Sequence, residues 1–248
     1  MKYLRIIPSL LLSNGKLVKG CSFKNHKNAG SPASTVVALD SQGADEIFLL
    51  DIDSYISNKK EPDLETLKKV SKISSTPITF GGGINNHEIA KKVLRSGAEK
   101  IYLNRAVIKN KNIIKELVSH FGGQAVVIGI NLTEYKNSYK IYEDKNNIIN
   151  LIDYIREIQN LGIGEIKITY VDREGSKKGL DLKFSKYIHK FVRVSSIFEG
   201  GIGNLSQLEE CFKNDIKAVA LGSMITFSDY NIVKIKRYLF NKNYEIRL

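Results

Sequence analysis

The chain has 248 residues, 42% of them hydrophobic, and a formal net charge of +12. This length is typical of a single domain with one large core, and no apolar run approaches the roughly eighteen residues of a membrane-spanning helix. The basic residues are scattered and are not interleaved with stacking aromatic side chains. The composition therefore argues against a nucleic-acid partner and favours a solvated surface that attracts small anions.

The cysteines and the N-terminal segment give the same picture. Cys21 and Cys211 have neither the spacing of metal ligands nor that of a disulfide framework. The first apolar run is short and is interrupted by Arg5, which is not the pattern of a signal peptide. We therefore expect a cytoplasmic protein that does not act on membranes and needs no metal or other cofactor.

Apolar β-rich runs alternate with helical patterns along the chain. The first part is predicted to run as strand 4–12, loop 13–32, helix 34–42, strand 46–52, helix 63–71, strand 77–80, helix 87–96, strand 100–103 and helix 112–120. The second part is predicted as strand 125–132, hairpin 135–142, helix 148–161, strand 165–171, a mixed or helical stretch 181–191, strand 194–198, helix 206–213, strand 218–221 and helix 232–241. The long polar loop 13–32 is of the kind that usually carries function. Eight strand–helix units with short connections predict a (β/α)₈ TIM barrel, of the α/β class, formed by the single domain 1–248.

An internal repeat supports closure of this barrel. The motif GGI begins at Gly82 and again at Gly200, and Leu103 with its following residue recurs at Leu221, both 118 residues on. Two further matches begin at Gly43 and at Leu50 and recur 119 and 121 residues on. The near-constant offset predicts two homologous half-barrels, about 1–122 and 123–248.

Each GGI motif follows a predicted strand and precedes a predicted helix. Glycine lets the backbone adopt positive φ angles and approach a ligand closely, and a helix N-terminus attracts phosphate. Since the carboxyl ends of the strands carry the chemistry in such barrels, the two loops would face each other across one mouth. The pattern predicts a phosphorylated small-molecule ligand with an anionic group at each end.

Seven motifs together carry a family resemblance. They are RIIP at Arg5, GKLVKG at Gly15, GADE at Gly43, FGGGI at Phe80, GAEK at Gly97, FGGQAVV at Phe121 and DREGSKKG at Asp172. In these motifs the chain resembles the HisF-type cyclase subunit of imidazole glycerol phosphate synthase almost from end to end. The resemblance implies a heterodimer with a HisH-type glutaminase, passage of ammonia through the barrel, and cyclisation of a bisphosphorylated histidine precursor.

The resemblance also implies roles for individual residues. One phosphate end would comprise Gly82, Gly83 and Asn104, and the other Gly175, Gly200, Gly201, Gly222 and Ser223. Lys19 matches the family's substrate-contacting lysine. At the opposite barrel face, the family's ammonia gate of two cations and two carboxylates matches Arg5, Glu46, Lys100 and Glu165, at the bottom ends of barrel strands one, two, four and six. A purely structural plug of ion pairs is the alternative for this ring.

The sequence departs from the family at the residues that do its acid–base chemistry. The two family aspartates fall on Leu11 and Asn131; leucine cannot transfer a proton, and an amide can only form hydrogen bonds. Arg105 and Glu199 add charge beside the phosphate loops, and Glu174 replaces an aspartate. A changed ligand is therefore expected.

Three functions remain open from the sequence. The main hypothesis is a paralogue that keeps the glutaminase partner and the ammonia channel but supplies nitrogen for an acetamidino group in surface-glycan synthesis, together with a sugar amidotransferase. The first alternative is an active histidine-pathway cyclase with a relocated acid–base group, for which the strand-end candidates are Asp51, Asp172, Glu174 and Glu199. The second alternative is a non-catalytic barrel that stimulates the glutaminase.

Overall fold

The strands and helices alternate as the sequence predicts. A computed structural model describes residues 3–53 and 61–248, so Met1 and Lys2 of the N-terminal segment discussed above lie outside the described residues. The strands in this part are β1 (Arg5–Ser13), β2 (Lys16–Cys21), β3 (Lys24–Gly30), β4 (Ile47–Asp51), β5 (Ile78–Gly81), β6 (Lys100–Leu103), β7 (Val126–Tyr135), β8 (Ser138–Ile141), β9 (Glu165–Tyr170), β10 (Ser195–Glu199) and β11 (Ala218–Leu221).

The helices cover the outside of the strands. Those in the described residues are α1 (Pro32–Ser41), α2 (Leu64–Ser71), α3 (His87–Arg95), α4 (Arg105–Lys109), α5 (Asn112–Phe121), α6 (Leu151–Gln159), α7 (Leu182–His189), α8 (Leu205–Lys213), α9 (Ser223–Thr226) and α10 (Ile232–Asn241). Side chains of Asp63, Asn86, Asn150, Asp181 and Asn204 cap the N-termini of α2, α3, α6, α7 and α8. Among these helices none has both the length and the apolar character needed to cross a membrane.

Eight strands form one closed parallel sheet. The hydrogen-bonded order is β1, β4, β5, β6, β7, β9, β10 and β11, and β11 pairs back with β1 so that Arg5 lies opposite Ala218. Closure removes the sheet edges and places all strand carboxyl ends at one mouth. The prediction of a (β/α)₈ barrel is therefore confirmed, and three predicted elements, 100–103, 218–221 and 232–241, have the bounds found in the structure.

The predicted loop 13–32 is wrong in its secondary structure. It forms an antiparallel hairpin, β2 and β3, in which β2 also pairs with the end of β1. The polar sequence hides these strands because β3 is mostly exposed and lacks the alternation of apolar residues that indicates a half-buried strand. Two-residue turns with positive φ at Asn14–Gly15 and Ser22–Phe23 bring the strands together. The hairpin contributes Lys19, Phe23 and His26 to the wall of the barrel mouth.

The barrel contains two apolar layers. A large cluster lies between the sheet and the helices, and a smaller one fills the barrel interior, with Ile7, Phe48, Val127 and Ile197 among its buried side chains. Successive residues of a strand point to opposite sides, so the odd-numbered residues of β9, Glu165, Lys167 and Thr169, share the inward face. Polar groups at both barrel ends therefore flank the apolar cluster, and the Lys167 ammonium lies 5.4 Å from the centre of the Phe48 ring.

Candidate functional site

A cavity of about 390 Å³ opens at the carboxyl ends of the barrel strands. The first glycine loop contributes Gly82 and Gly83, and Asn104 and Arg105 come from the end of β6 and the start of α4. A Cβ on Gly82 would lie 2.0 Å from the backbone oxygen of Asp51, and φ is 115° at Gly82 and 67° at Gly83. Glycine is therefore required for this turn, and it leaves the backbone open to the cavity.

The second glycine loop keeps the same shape but has a different environment. Gly200 and Gly201 have φ angles of 118° and 96°, and a Cβ on Gly200 would meet the backbone oxygen of Tyr170 at 2.6 Å. The described residues that line the cavity do not include Gly175, Gly200, Gly201, Gly222 or Ser223. The residues predicted to bind the first phosphate therefore line the cavity, and the residues predicted to bind the second phosphate lie outside its lining.

Two buried ion pairs stand where the second loop meets the mouth. The Lys19 ammonium contacts Glu174, and the Lys167 ammonium contacts Glu199. The ammonium of Lys167 also lies 3.0 Å from the hydroxyl of Thr169. All four charged side chains line the cavity, so this side of the mouth is occupied by the protein's own charges.

Burial and charge act in opposite directions on these groups. Burial lowers the pKa of Lys19, partly offset by the negative charge of Glu199. Burial disfavours ionisation of Glu199, but the ammonium groups of Lys167 and Lys19 outweigh it and the pKa of Glu199 is lowered. A Cβ on Gly222 would lie 2.5 Å from the Lys19 ammonium, so Lys19 packs directly on that glycine.

The positions of the family aspartates also line the cavity, as Leu11 and Asn131. The amide of Asn131 donates a 2.6 Å hydrogen bond to Oε1 of Glu143, a residue that the sequence analysis missed. Glu143 follows the β7–β8 hairpin, and the backbone N–H of Tyr142 donates to the backbone carbonyl oxygen of Asn131 at 2.8 Å. The predicted hairpin 135–142 was the sequence feature that could have identified Glu143. A hairpin folds the chain back, so the residue after it, Glu143, lies beside Asn131 of β7.

The four carboxylates suggested by the sequence are placed differently. Asp51 accepts the backbone N–H groups of Asp53 and Asp63 at 2.9 and 2.8 Å. Asp172 is exposed and accepts bonds from Thr133 and from the backbone of the neighbouring residue, at 2.8 and 2.7 Å. Glu174 and Glu199 are in the ion pairs described above. Asp51, Glu174 and Glu199 line the cavity, whereas Asp172 lies outside the lining.

The four charges predicted at the opposite face meet in a closed ring. Arg5 contacts Glu46 at 3.3 Å and also contacts Glu165. Lys100 contacts the same two carboxylates at 2.9 and 3.3 Å, and the hydroxyl of Ser195 donates to Glu165 at 2.7 Å. The predicted meeting of these four side chains is therefore present in the structure.

The ring holds its charges despite burial. Burial opposes ionisation of Glu165, but Arg5 and Lys100 outweigh it and the pKa of Glu165 is lowered. Burial likewise acts against the charged form of Lys100, but Glu46 and Glu165 raise its pKa. Each charge has two opposite neighbours, so the ring closes the barrel entrance with paired ions.

Comparison with known proteins agrees with this geometry. The family model described as "Histidine biosynthesis protein" matches residues 5–231. A protein named imidazole glycerol phosphate synthase subunit HisF from Sulfurisphaera tokodaii is 35% identical over 249 residues, and the match covers 98% of each chain. Proteins of the same name from Sulfolobus acidocaldarius and Clostridium botulinum are 33% and 34% identical, also over 98% of each chain. The chain therefore belongs to the histidine biosynthesis protein family and is a HisF-like barrel.

Proposed function

We propose that this chain is the cyclase-type subunit of a glutamine amidotransferase complex, acting as HisF does in imidazole glycerol phosphate synthase. A HisH-type glutaminase would be its partner in a heterodimer, and a phosphorylated small molecule would be its substrate. The observation that carries the proposal is one barrel with a closed ring of four charges at one end and a glycine-loop cavity at the other.

The ring is the proposed entrance for ammonia. The glutaminase would dock against the ring formed by Arg5, Glu46, Lys100 and Glu165, and the ring would open to admit ammonia. Above the ring, the interior is lined by Ile7, Phe48, Val127 and Ile197. An apolar wall accepts neutral ammonia and rejects ammonium, because transfer of an unpaired charge into an apolar interior is costly.

The mouth is the proposed substrate site. Gly82, Gly83 and Asn104 would bind one phosphate through backbone N–H groups and a side-chain amide. The second proposed phosphate site would become accessible when Lys19 leaves Glu174. It comprises Gly175, Gly200, Gly201, Gly222 and Ser223. Lys19 would then contact the substrate, as the family resemblance implies.

Turnover of the histidine-pathway bisphosphate by the purified barrel tests this proposal. An ammonium salt at high pH replaces the glutaminase and isolates the chemistry of the mouth. We expect ammonium-dependent formation of the cyclised product and, after addition of a HisH-type glutaminase, glutamine-dependent formation. A folded protein that makes no product under either condition would disprove the cyclase function.

A second function is favoured by one specific observation. Leu11 and Asn131 occupy the two positions at which the family's acid–base aspartates would stand, so the barrel could pass ammonia to another enzyme. Its acceptor would be a sugar amidotransferase that forms an acetamidino group for a surface glycan. This alternative expects no cyclase turnover, glutaminase activity stimulated by the barrel, and amidated sugar only when all three proteins are present.

A further inference from the structure

We propose that Glu143 is the general acid–base catalyst of this barrel and takes over the proton transfers that Leu11 and Asn131 cannot perform. The inference rests on the proposed cyclase function and names a catalytic residue for it. Glu143 lies in the lining of the mouth cavity, on the same side as Asn104 and Arg105.

The other carboxylates of the mouth are engaged. The two oxygens of Asp51 accept the backbone N–H groups of Asp53 and Asp63. Glu199 contacts the Lys167 ammonium and Glu174 contacts the Lys19 ammonium. An opposite charge in contact favours the ionised carboxylate and makes it a poor proton donor near neutral pH.

Glu143 is held in a different way. Its Oε1 accepts the amide of Asn131 at 2.6 Å, which fixes the direction of the carboxyl group. Its Oε2 is buried and has no hydrogen-bond partner among the described residues; the same holds for Oε2 of Glu174, but the other oxygen of Glu174 contacts the Lys19 ammonium, whereas that of Glu143 contacts a neutral amide. A buried polar atom without a partner is costly, and a substrate hydrogen in the cavity would satisfy it.

The surroundings of Glu143 favour its protonated form more than those of an exposed glutamate do. Burial raises the pKa of Glu143, and the Asn131 amide and the positive charges of Arg105 and Lys145 partly offset the rise. After burial, which is the larger cause, the negative charge of Glu143 also raises the pKa of the phenols of Tyr102 and Tyr154. A carboxyl group titrating nearer to neutral pH is a better acid and a better base at that pH.

The step balances with one proton carried by one carboxyl group. Ammonia attacks an electrophilic carbon of the substrate, and its lone pair forms the new C–N bond as the bond from that carbon to the leaving group breaks and the leaving group takes the bonding electron pair. The positively charged nitrogen then gives a proton to Oε2 of Glu143. Glu143 then passes this proton to the leaving group.

Kinetics of E143Q with ammonium as nitrogen donor test the proposal. The amide keeps the shape but cannot carry a proton, so we expect kcat to fall by about 100-fold or more while KM changes by less than about 3-fold. The matched control is E134Q, at an exposed position of the same hairpin, and it should retain full activity. At a constant concentration of free ammonia, wild-type kcat should fall as pH drops through the raised pKa of Glu143, and this acidic limb should vanish in E143Q.

Two further variants keep the test valid if E143Q is poorly folded. E143D shortens the side chain and should retain partial activity with the acidic limb. The double variant N131D/E143Q places a carboxyl at the strand end itself and should recover much of the lost kcat, which a purely structural role of Glu143 would not predict.

The outcomes separate the inference from the function on which it rests. Turnover by the wild type together with an E143Q variant within 3-fold of it would overturn the role of Glu143 and leave the cyclase function standing. A folded wild type without turnover would overturn the cyclase function, and the catalytic role of Glu143 with it.

Discussion

The two glycine loops of the mouth share a backbone and differ in what surrounds it. Gly82 and Gly200 have φ angles of 115° and 118°. A Cβ on Gly82 would clash with the backbone oxygen of Asp51, at the end of the neighbouring strand β4. A Cβ on Gly200 would clash with the backbone oxygen of Tyr170, at the end of the neighbouring strand β9. The repeated motif thus specifies the same turn in both glycine loops.

One residue before the turn makes the difference. In the first half it is Gly81, whose missing side chain leaves room for Tyr102, since a Cβ there would lie 2.6 Å from the ring. In the second half it is Glu199, which is paired with Lys167. The first loop therefore faces a cavity and the second faces an ion pair. A repeat can preserve a backbone turn while the side chains around it differ.

The largest effect should come from breaking the pair that closes the second loop. E199M would leave the ammonium of Lys167, which is 1% exposed, without its carboxylate. Removing one partner of a buried ion pair costs about 3–5 kcal/mol, measured as the free energy of unfolding in urea.

Two controls give this measurement its meaning. The double variant K167M/E199M removes both charges and should recover most of the loss, because replacing a whole buried pair by apolar groups is often neutral. E65Q breaks the exposed pair between Glu65 and Lys69 and should cost less than about 1 kcal/mol. A loss for E199M as small as that for E65Q would contradict the view that this pair holds the second loop closed.

A smaller effect should appear at the open loop. If this loop receives an anion, inorganic phosphate should raise the melting temperature of the wild type, and R105Q should weaken phosphate binding about 10-fold or more, because hydrogen bonds to charged groups contribute about 1.5–3 kcal/mol. Isothermal titration calorimetry measures the affinity.

The matched control for this prediction is R95Q. Arg95 is exposed at the end of α3, and its removal lowers the net charge equally without touching the cavity. S223A probes the second loop, which we expect to contribute little to binding of a single phosphate. Equal weakening by R95Q and R105Q would mean that the general positive field of the protein, and not the open loop, attracts the anion.

Much of the fold followed from the sequence because its signals are local. Apolar runs of strand length, glycines at the turns and the 118-residue repeat each specify part of a closed barrel. The hairpin β2–β3 did not follow, since its exposed strand is held by backbone pairing and not by an apolar face. The short helices α4 and α9, placed equivalently in the two halves, were also missed because they are too brief to show a helical period.

The site was less predictable because long-range contacts decide it. The ring of four charges came from a family resemblance, and the barrel brought its members together. The pair of Lys167 and Glu199 joins residues 32 positions apart. The alternation of Glu165, Lys167 and Thr169 with apolar residues was a period-two signal for an inward polar face that the sequence analysis did not use. Glu143 was missed because only the hairpin contact places it beside Asn131.

The smallest expected effect concerns pH, and it compares the two carboxylates on either side of the mouth. Glu199 has a folded-state pKa below the ordinary glutamate value of 4.5, so it stabilises the fold above that value and loses this contribution as pH falls through the folded pKa. Glu143 has a folded-state pKa above 4.5, so its ionised form opposes folding at higher pH, and the opposition disappears as pH falls through the raised pKa.

Urea unfolding of wild type, E199M and E143Q between about pH 3.5 and 7 measures these opposite signs. The stability advantage of the wild type over E199M should shrink toward acidic pH, because protonation removes the attraction of Glu199 to Lys167 and Lys19. Relative to E143Q, the wild type should instead gain stability toward acidic pH, because a protonated Glu143 no longer buries a charge. If both differences changed in the same direction, the two carboxylates would share one electrostatic environment. The division of the mouth into a side closed by ion pairs and a side open to chemistry would then be wrong.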